Sequence, residues 1–123
     1  MREQLVTRHV VSYDNLIAGA VMPVVTDTVV LAAGRVYEKG AVLGMVTTSG
    51  KAVMVDSSKT DGSEKPYAVL AQTIDATLAD TTAPVYLTGE FNMTKLSFGG
   101  TDDASKHKWS MRQIGMFLKR TLS

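Results

Sequence analysis

The residues that could do chemistry in this chain are few, and their spacing argues against most of what they could do. Gly44-Met45-Val46-Thr47-Thr48-Ser49-Gly50-Lys51-Ala52 superficially resembles a phosphate-binding loop. Such a loop needs four residues between its glycines and a hydroxyl after the lysine, whereas here five residues intervene and Ala52 takes the hydroxyl's place. Thr48-Ser49-Gly50-Lys51 therefore reads as a turn entering a strand. His9 and His107 are the only histidines, far apart in sequence, and a metal site or catalytic dyad would have to bring them together with a carboxylate. Both read as surface residues, His107 lying between Lys106 and Lys108. No serine sits in a G-x-S-x-G elbow, and no H-x-E or H-E-x-x-H spacing occurs.

Asp56, Asp61 and Gly62 faintly suggest a calcium loop, but they miss the alternating oxygen ligands of the EF-hand, and turn chemistry accounts for them. Asp102 and Asp103 are adjacent carboxylates that could share acid and base work; placed just before a helical segment they read as N-caps. Trp109, Tyr86, Phe91 and Phe117 could stack bases if they shared a face with the C-terminal cations, but their setting among Val, Leu and Met favours core or subunit contacts. The seven methionines suit either irregular core gaps or contact surfaces. No cofactor or metal is expected.

The elements that would position these residues are mostly strands. At 123 residues the chain is expected to be one domain, large enough to bury roughly two-thirds of its unfolded surface. Its longest apolar run, Val29 to Ala33, is far too short to span a membrane, and charges interrupt the first residues where a secretory signal would be apolar. With no cysteine there can be no disulfide, which suits a reducing cytosol.

Val21 to Val25 and Thr28 to Ala33 read as short strands separated by Thr26-Asp27. Glycines then bracket Arg35 to Glu38, and Ala41 to Val46, Lys51 to Asp56 and Tyr67 to Ile74 each fit a strand. The polar connector Ser57 to Pro66 reads as an exposed loop. Pro84 to Thr88 and Glu90 to Leu96 flank Gly89, a bulge or sharp bend through which the sheet continues. A helix is expected over Ala104 to Ile114, stopped by Gly115; Met116-Phe117-Leu118 could follow as a final strand, or one helix could run to Lys119. Short strands with Gly at their corners predict a mainly β, small β-barrel or β-clip-like single domain with one short C-terminal helix. Residues 1–20 are expected to be a flexible, extended N-terminal arm and 21–123 the compact β-rich domain.

Net charge is +1, so no strong global attraction to nucleic acid is expected. Every acid nonetheless lies at or before Asp103, and Lys106, Lys108, Arg112, Lys119 and Arg120 follow it. These cations read as a solvated helix face complementing the helix dipole; the alternative is an anion or nucleic-acid binding module.

Residues Asp61-Gly62-Ser63-Glu64-Lys65-Pro66-Tyr67-Ala68-Val69-Leu70, an acidic Thr-containing connector, Pro84-Val85-Tyr86-Leu87-Thr88-Gly89-Glu90-Phe91-Asn92 and a basic C-terminus follow one another in an order that resembles the head decoration proteins of lambda-like tailed bacteriophages. Ala33-Gly34, Lys39-Gly40-Ala41-Val42-Leu43-Gly44 and Thr48-Ser49-Gly50-Lys51 fit the same family, and the resemblance spans roughly Asp14 to Arg120. It implies a non-enzymatic protein of the virion, made in the host cytoplasm and sitting on the capsid exterior. There it would act as a homotrimer on the expanded head, bound to the major capsid protein and stabilising the shell against packaged DNA. It implies no specific nucleic-acid partner and no membrane. In such proteins the arm orders on the capsid by extending a coat-protein sheet, for which Leu5, Val6, Val10, Val11, Leu16 and Ile17 supply apolar teeth here. Two features depart from the most familiar lambda-type member: the arm is not Pro- and Gly-rich, and the strand-rich segment Val21 to Val46 is longer.

Overall fold

The computed structural model describes residues 24–119. In chain order the elements are β1 (Val25–Leu31), β2 (Val36–Tyr37), β3 (Val42–Met45), β4 (Ala52–Met54), β5 (Ala68–Leu70), β6 (Ile74–Asp75), β7 (Thr81–Asn92), a 3-10 turn (Met93–Lys95), α1 (Ala104–Gln113) and β8 (Met116–Lys119). Five strands pair in the order β1-β4-β3-β5-β7, and β7 pairs back onto β1, so the ring closes into a small barrel. Closure leaves these five strands without an open edge, the general solution to the edge problem in all-β folds. The expected mainly β barrel with one short helix is what forms.

Alternation along the strands sorts two cores. Leu43, Ala68 and Leu70 join Leu31, Tyr37, Ala52 and Val85 in one cluster, while their neighbours Val42 and Val69 point the other way and pack with Val55, Phe91, Met111, Met116 and Leu118. β3 and β5 are thus buried on both faces, the second face being covered by α1 and β8. That explains why their sequences read as continuous apolar runs.

β7 serves two sheets. Its first part pairs antiparallel with β1, from Leu31↔Thr81 to Val25↔Thr88, and Gly89 to Asn92 pair parallel with Met116 to Lys119 of β8. The change of partner falls at Gly89, whose φ of +144° is open to glycine and strained for other residues. The bend anticipated at this residue is present, and just before it the β1 register shifts between the pairs Val25↔Thr88 and Thr26↔Tyr86, leaving Leu87 as the extra residue.

Several expected boundaries move. Thr26 and Asp27 do not separate two strands but lie within β1, whose first four residues are all exposed, so polar side chains cost nothing there. The segment Tyr67 to Ile74 is two strands: β5 belongs to the barrel, whereas β6 pairs with β2 in a separate two-stranded ribbon. β7 ends at Asn92 instead of continuing to Leu96, because the Asn92 side chain accepts the Thr94 N–H at 3.2 Å and starts the 3-10 turn. The connector Ser57 to Pro66 is continuously exposed only from Ser57 to Asp61. Ser63 is fully buried, and a Cβ placed on Gly44 would come within 2.4 Å of the Ser63 carbonyl oxygen. At the C-terminal side the helix stops and a strand follows: Gly115 has φ +92° and turns the chain into β8.

Candidate functional site

Three places concentrate polar or exposed side chains. The first is a buried cluster at the start of α1. Asp103 is the N-cap, its carboxylate accepting the Lys106 N–H at 3.2 Å. Asp102, the other expected cap, turns inward. It accepts the Ser57 N–H at 2.7 Å, the Ser57 hydroxyl at 2.8 Å and His107 Nε2 at 2.6 Å. The side chains of His107 and Asp102 are each 4% exposed, and the His107 ring stacks on Phe98 with centroids 5.6 Å apart. His107 is therefore a core residue, not the surface residue its lysine neighbours suggested. Ala104, His107 and Met111 recur at helical spacing and form the inward stripe of α1, leaving Lys106 and Lys108 outside.

Burial opposes ionisation of Asp102, but the hydrogen bonds from His107 and Ser57 outweigh it and hold its pKa at about 2. An ionised carboxylate only accepts, so Nε2 carries the proton of its bond to Asp102. Although serine, aspartate and histidine meet here, the carboxylate stands between the other two. The Ser57 hydroxyl gives its hydrogen to Asp102, so His107 is not placed to take that proton, as nucleophilic catalysis would require. What the arrangement does is tie the loop after β4 to the first turn of α1.

The remaining candidates for chemistry are also spent on local structure. Asp56 accepts from Ser58 N and Oγ, and Asp61 from Ser63 N and Oγ, which depress both carboxyl pKa values and make these residues turn formers. No group of three or more metal-ligating side chains gathers among the described residues. The Gly44 to Ala52 stretch is the β3–β4 hairpin: Val46 N–H donates to the Lys51 carbonyl at 2.9 Å, and Lys51 Nζ pairs with Asp80 at 2.6 Å. The four aromatics considered for stacking do not share a face. Phe91 is fully buried with Tyr86 beside it at 5.9 Å, whereas Trp109 is exposed on α1.

The second place is where the described body begins. The Val25 N–H donates to Thr88 Oγ1 at 3.2 Å, the Gly89 N–H donates to the Gly115 carbonyl at 3.0 Å, and a Cβ on Gly115 would meet the Thr88 side chain at 2.9 Å. The chain thus enters the barrel beside the C-terminal turn of α1. β8 runs alongside, pairing on one edge only among the described residues. The expected arm, residues 1–20 with Leu5, Val6, Val10, Val11, Leu16 and Ile17, lies outside the described residues, as do His9 and Arg120.

The third place is the set of C-terminal cations, which do not form one patch among the described residues. Lys119 Nζ lies 2.8 Å from Oε1 of the buried Glu90, an ion pair without hydrogen-bond geometry at that oxygen. Lys106, Lys108 and Arg112 project from α1, and the Arg112 guanidinium sits 5.7 Å from the centre of the Trp109 ring. No helix among the described residues is long and apolar enough to cross a membrane.

Set beside known proteins, the chain is matched over residues 5–114 by the family model described as bacteriophage lambda head decoration protein D. Comparison with curated proteins finds no match.

Proposed function

Because the chain belongs to the bacteriophage lambda head decoration protein D family, we propose that it binds the outer surface of the expanded phage head as a homotrimer and stabilises that shell against the pressure of packaged DNA. The observation that carries the reading is the extent of the family match, which begins at residue 5 and runs through both the arm and the barrel. A closed barrel whose polar clusters satisfy one another supports a role in binding.

The physics of such a role is mass action. A protein that binds the assembled shell but not its separated subunits stabilises the shell by about 2.7 kcal/mol per site at a hundredfold excess over the dissociation constant. A trimer bridging neighbouring copies of the major capsid protein adds avidity. In this reading residues 1–20 are the arm that contacts the shell and residues 21–123 the decoration domain. Leu5, Val6, Val10, Val11, Leu16 and Ile17 extend a coat-protein sheet, with backbone bonds giving affinity and alternate side chains giving register. The protein is made in the host cytoplasm and takes its place on the capsid exterior during head maturation.

Mass measurement of the purified protein, followed by co-sedimentation with expanded and unexpanded shells, tests this reading. A trimer that sediments with expanded shells is the expected result. A strict monomer that ignores both shells would overturn it.

A further inference from the structure

The outer face of α1 has the chemistry of a contact surface. α1 carries Lys106, Lys108 and Arg112 and no acid. None of the three is ion-paired to a carboxylate among the described residues, in contrast to Lys51 and Lys119, which are held by Asp80 and Glu90. Amid these cations stands Trp109, 66% exposed, the most exposed aromatic ring among the described residues. A tryptophan in open water forgoes its large apolar burial, and the guanidinium of Arg112 over its ring keeps the two side chains together and facing outward. Tryptophan and arginine are the residue types that dominate the energetics of protein interfaces.

The position of the face matters as much as its composition. α1 is followed by Gly115, where an added Cβ would lie 2.9 Å from the Thr88 side chain, and Thr88 Oγ1 takes the N–H of Val25, near where the described body begins. The C-terminal end of α1 therefore lies beside the point where the described chain begins. We propose that the outer face of α1, centred on Trp109 and Arg112, is a second docking surface for the capsid shell and receives an acidic strip of the coat protein. This rests on the decoration reading above.

The partner is an acidic protein surface, not a nucleic acid. Three cations on a ten-residue helix supply only a small phosphate term, and a lone exposed ring is not a stacking platform. A cationic face around one large apolar anchor fits a protein surface whose acids surround an apolar recess.

The test is co-sedimentation of the full chain and its Trp109→Ala, Arg112→Glu and Lys108→Glu variants with expanded shells at low and physiological salt, with melting and mass as controls. All three side chains are outside the core, so melting and oligomer mass should match wild type. Trp109→Ala and Arg112→Glu should each weaken shell binding about tenfold or more. The Arg112→Glu defect should shrink as salt rises, because a solvent-accessible charge contact is screened. Should Arg112→Glu melt early, Lys108→Glu supplies the same charge test without removing the guanidinium that lies over the Trp109 ring. Wild-type binding by all three variants overturns the inference alone; a wild-type chain that ignores the shells overturns the decoration reading and this inference with it. Variants that keep shell binding but lose affinity for duplex DNA place a nucleic acid on this face, which likewise overturns the inference.

Discussion

His107 Nε2 and Asp102 Oδ2 lie 2.6 Å apart across the first turn of α1, both almost completely buried. The pair is unequal. Asp102 also holds the Ser57 N–H and hydroxyl, so it is the hub of three bonds, whereas His107 contributes one bond to the hub and a stack on Phe98. Removing the hub takes the acceptor from the Ser57 N–H and hydroxyl and leaves the buried imidazole without its partner. Asp102→Ala should therefore cost about 3 kcal/mol, and His107→Leu, which refills its volume and leaves both Ser57 bonds intact, about half of that. Urea unfolding at neutral pH measures both; an equal loss in the two variants would show that Ser57 gains nothing from the cluster.

The same cluster gives the fold a defined acid limit. The Asp102 pKa of about 2 lies below the ordinary carboxylate value of 3.8, so the unfolded chain takes up the proton first as acid is added. Stability from this group is fully present above the unfolded value of about 3.9 and is lost as pH falls through about 2, amounting to about 2 kcal/mol. Asp56, Asp61, Asp75, Asp80 and Asp103, held low chiefly by side-chain hydrogen bonds, steepen the loss in the same direction. Asp102→Asn should flatten the fall between pH 4 and pH 2, read as urea midpoints on a pH series. Parallel curves for variant and wild type would assign the acid sensitivity to the exposed turns instead.

Two glycines of the β3–β4 hairpin should respond differently to alanine. At Gly44 a Cβ would press on Ser63 backbone atoms from 2.4 to 2.8 Å away, and backbone cannot rotate aside. Gly44→Ala should displace the buried loop at Ser63 and cost about 3 kcal/mol or more. At Gly50 nothing lies within 4 Å and only the φ of +71° is at issue, so Gly50→Ala should cost about 1 kcal/mol. Thermal melting distinguishes them. A Gly44→Ala protein as stable as Gly50→Ala would show that the Ser63 loop is not anchored there.

Turn and cap chemistry was legible because it is local: the bend at Gly89, the Asp103 cap and the stop at Gly115 each depend on one residue and its nearest neighbours. The sheet itself was legible from short apolar runs between glycines. What local reasoning missed is set by distant partners. Tyr67 to Ile74 looks like one strand until β2 claims Ile74 and Asp75 and the barrel claims Ala68 to Leu70. His107 looked exposed because its sequence neighbours are lysines, although its spacing from Ala104 and Met111 already placed it on the apolar stripe. Ser57, the third member of the cluster, reaches Asp102 across 45 residues and left no local signal. The barrel's second core, under α1, depends on both faces of β3 and β5 being covered, which a single-strand pattern does not state.

The arm is where binding and folding should separate. The described barrel strands begin at Val25 and pair with one another in a closed ring, and the decoration reading assigns the first fifteen residues to the shell. Deleting residues 1–15 removes Leu5, Val6, Val10 and Val11, four of the six apolar positions assigned to strand addition. Shell co-sedimentation should be abolished, while the oligomer mass and the melting temperature stay at their wild-type values. Affinity would fall with the backbone bonds that an added strand makes, so replacing only Val6 and Val10 by threonine should weaken binding much less than the deletion. Unchanged binding by the truncated chain would sink the arm reading and leave the capsid contact to the folded body.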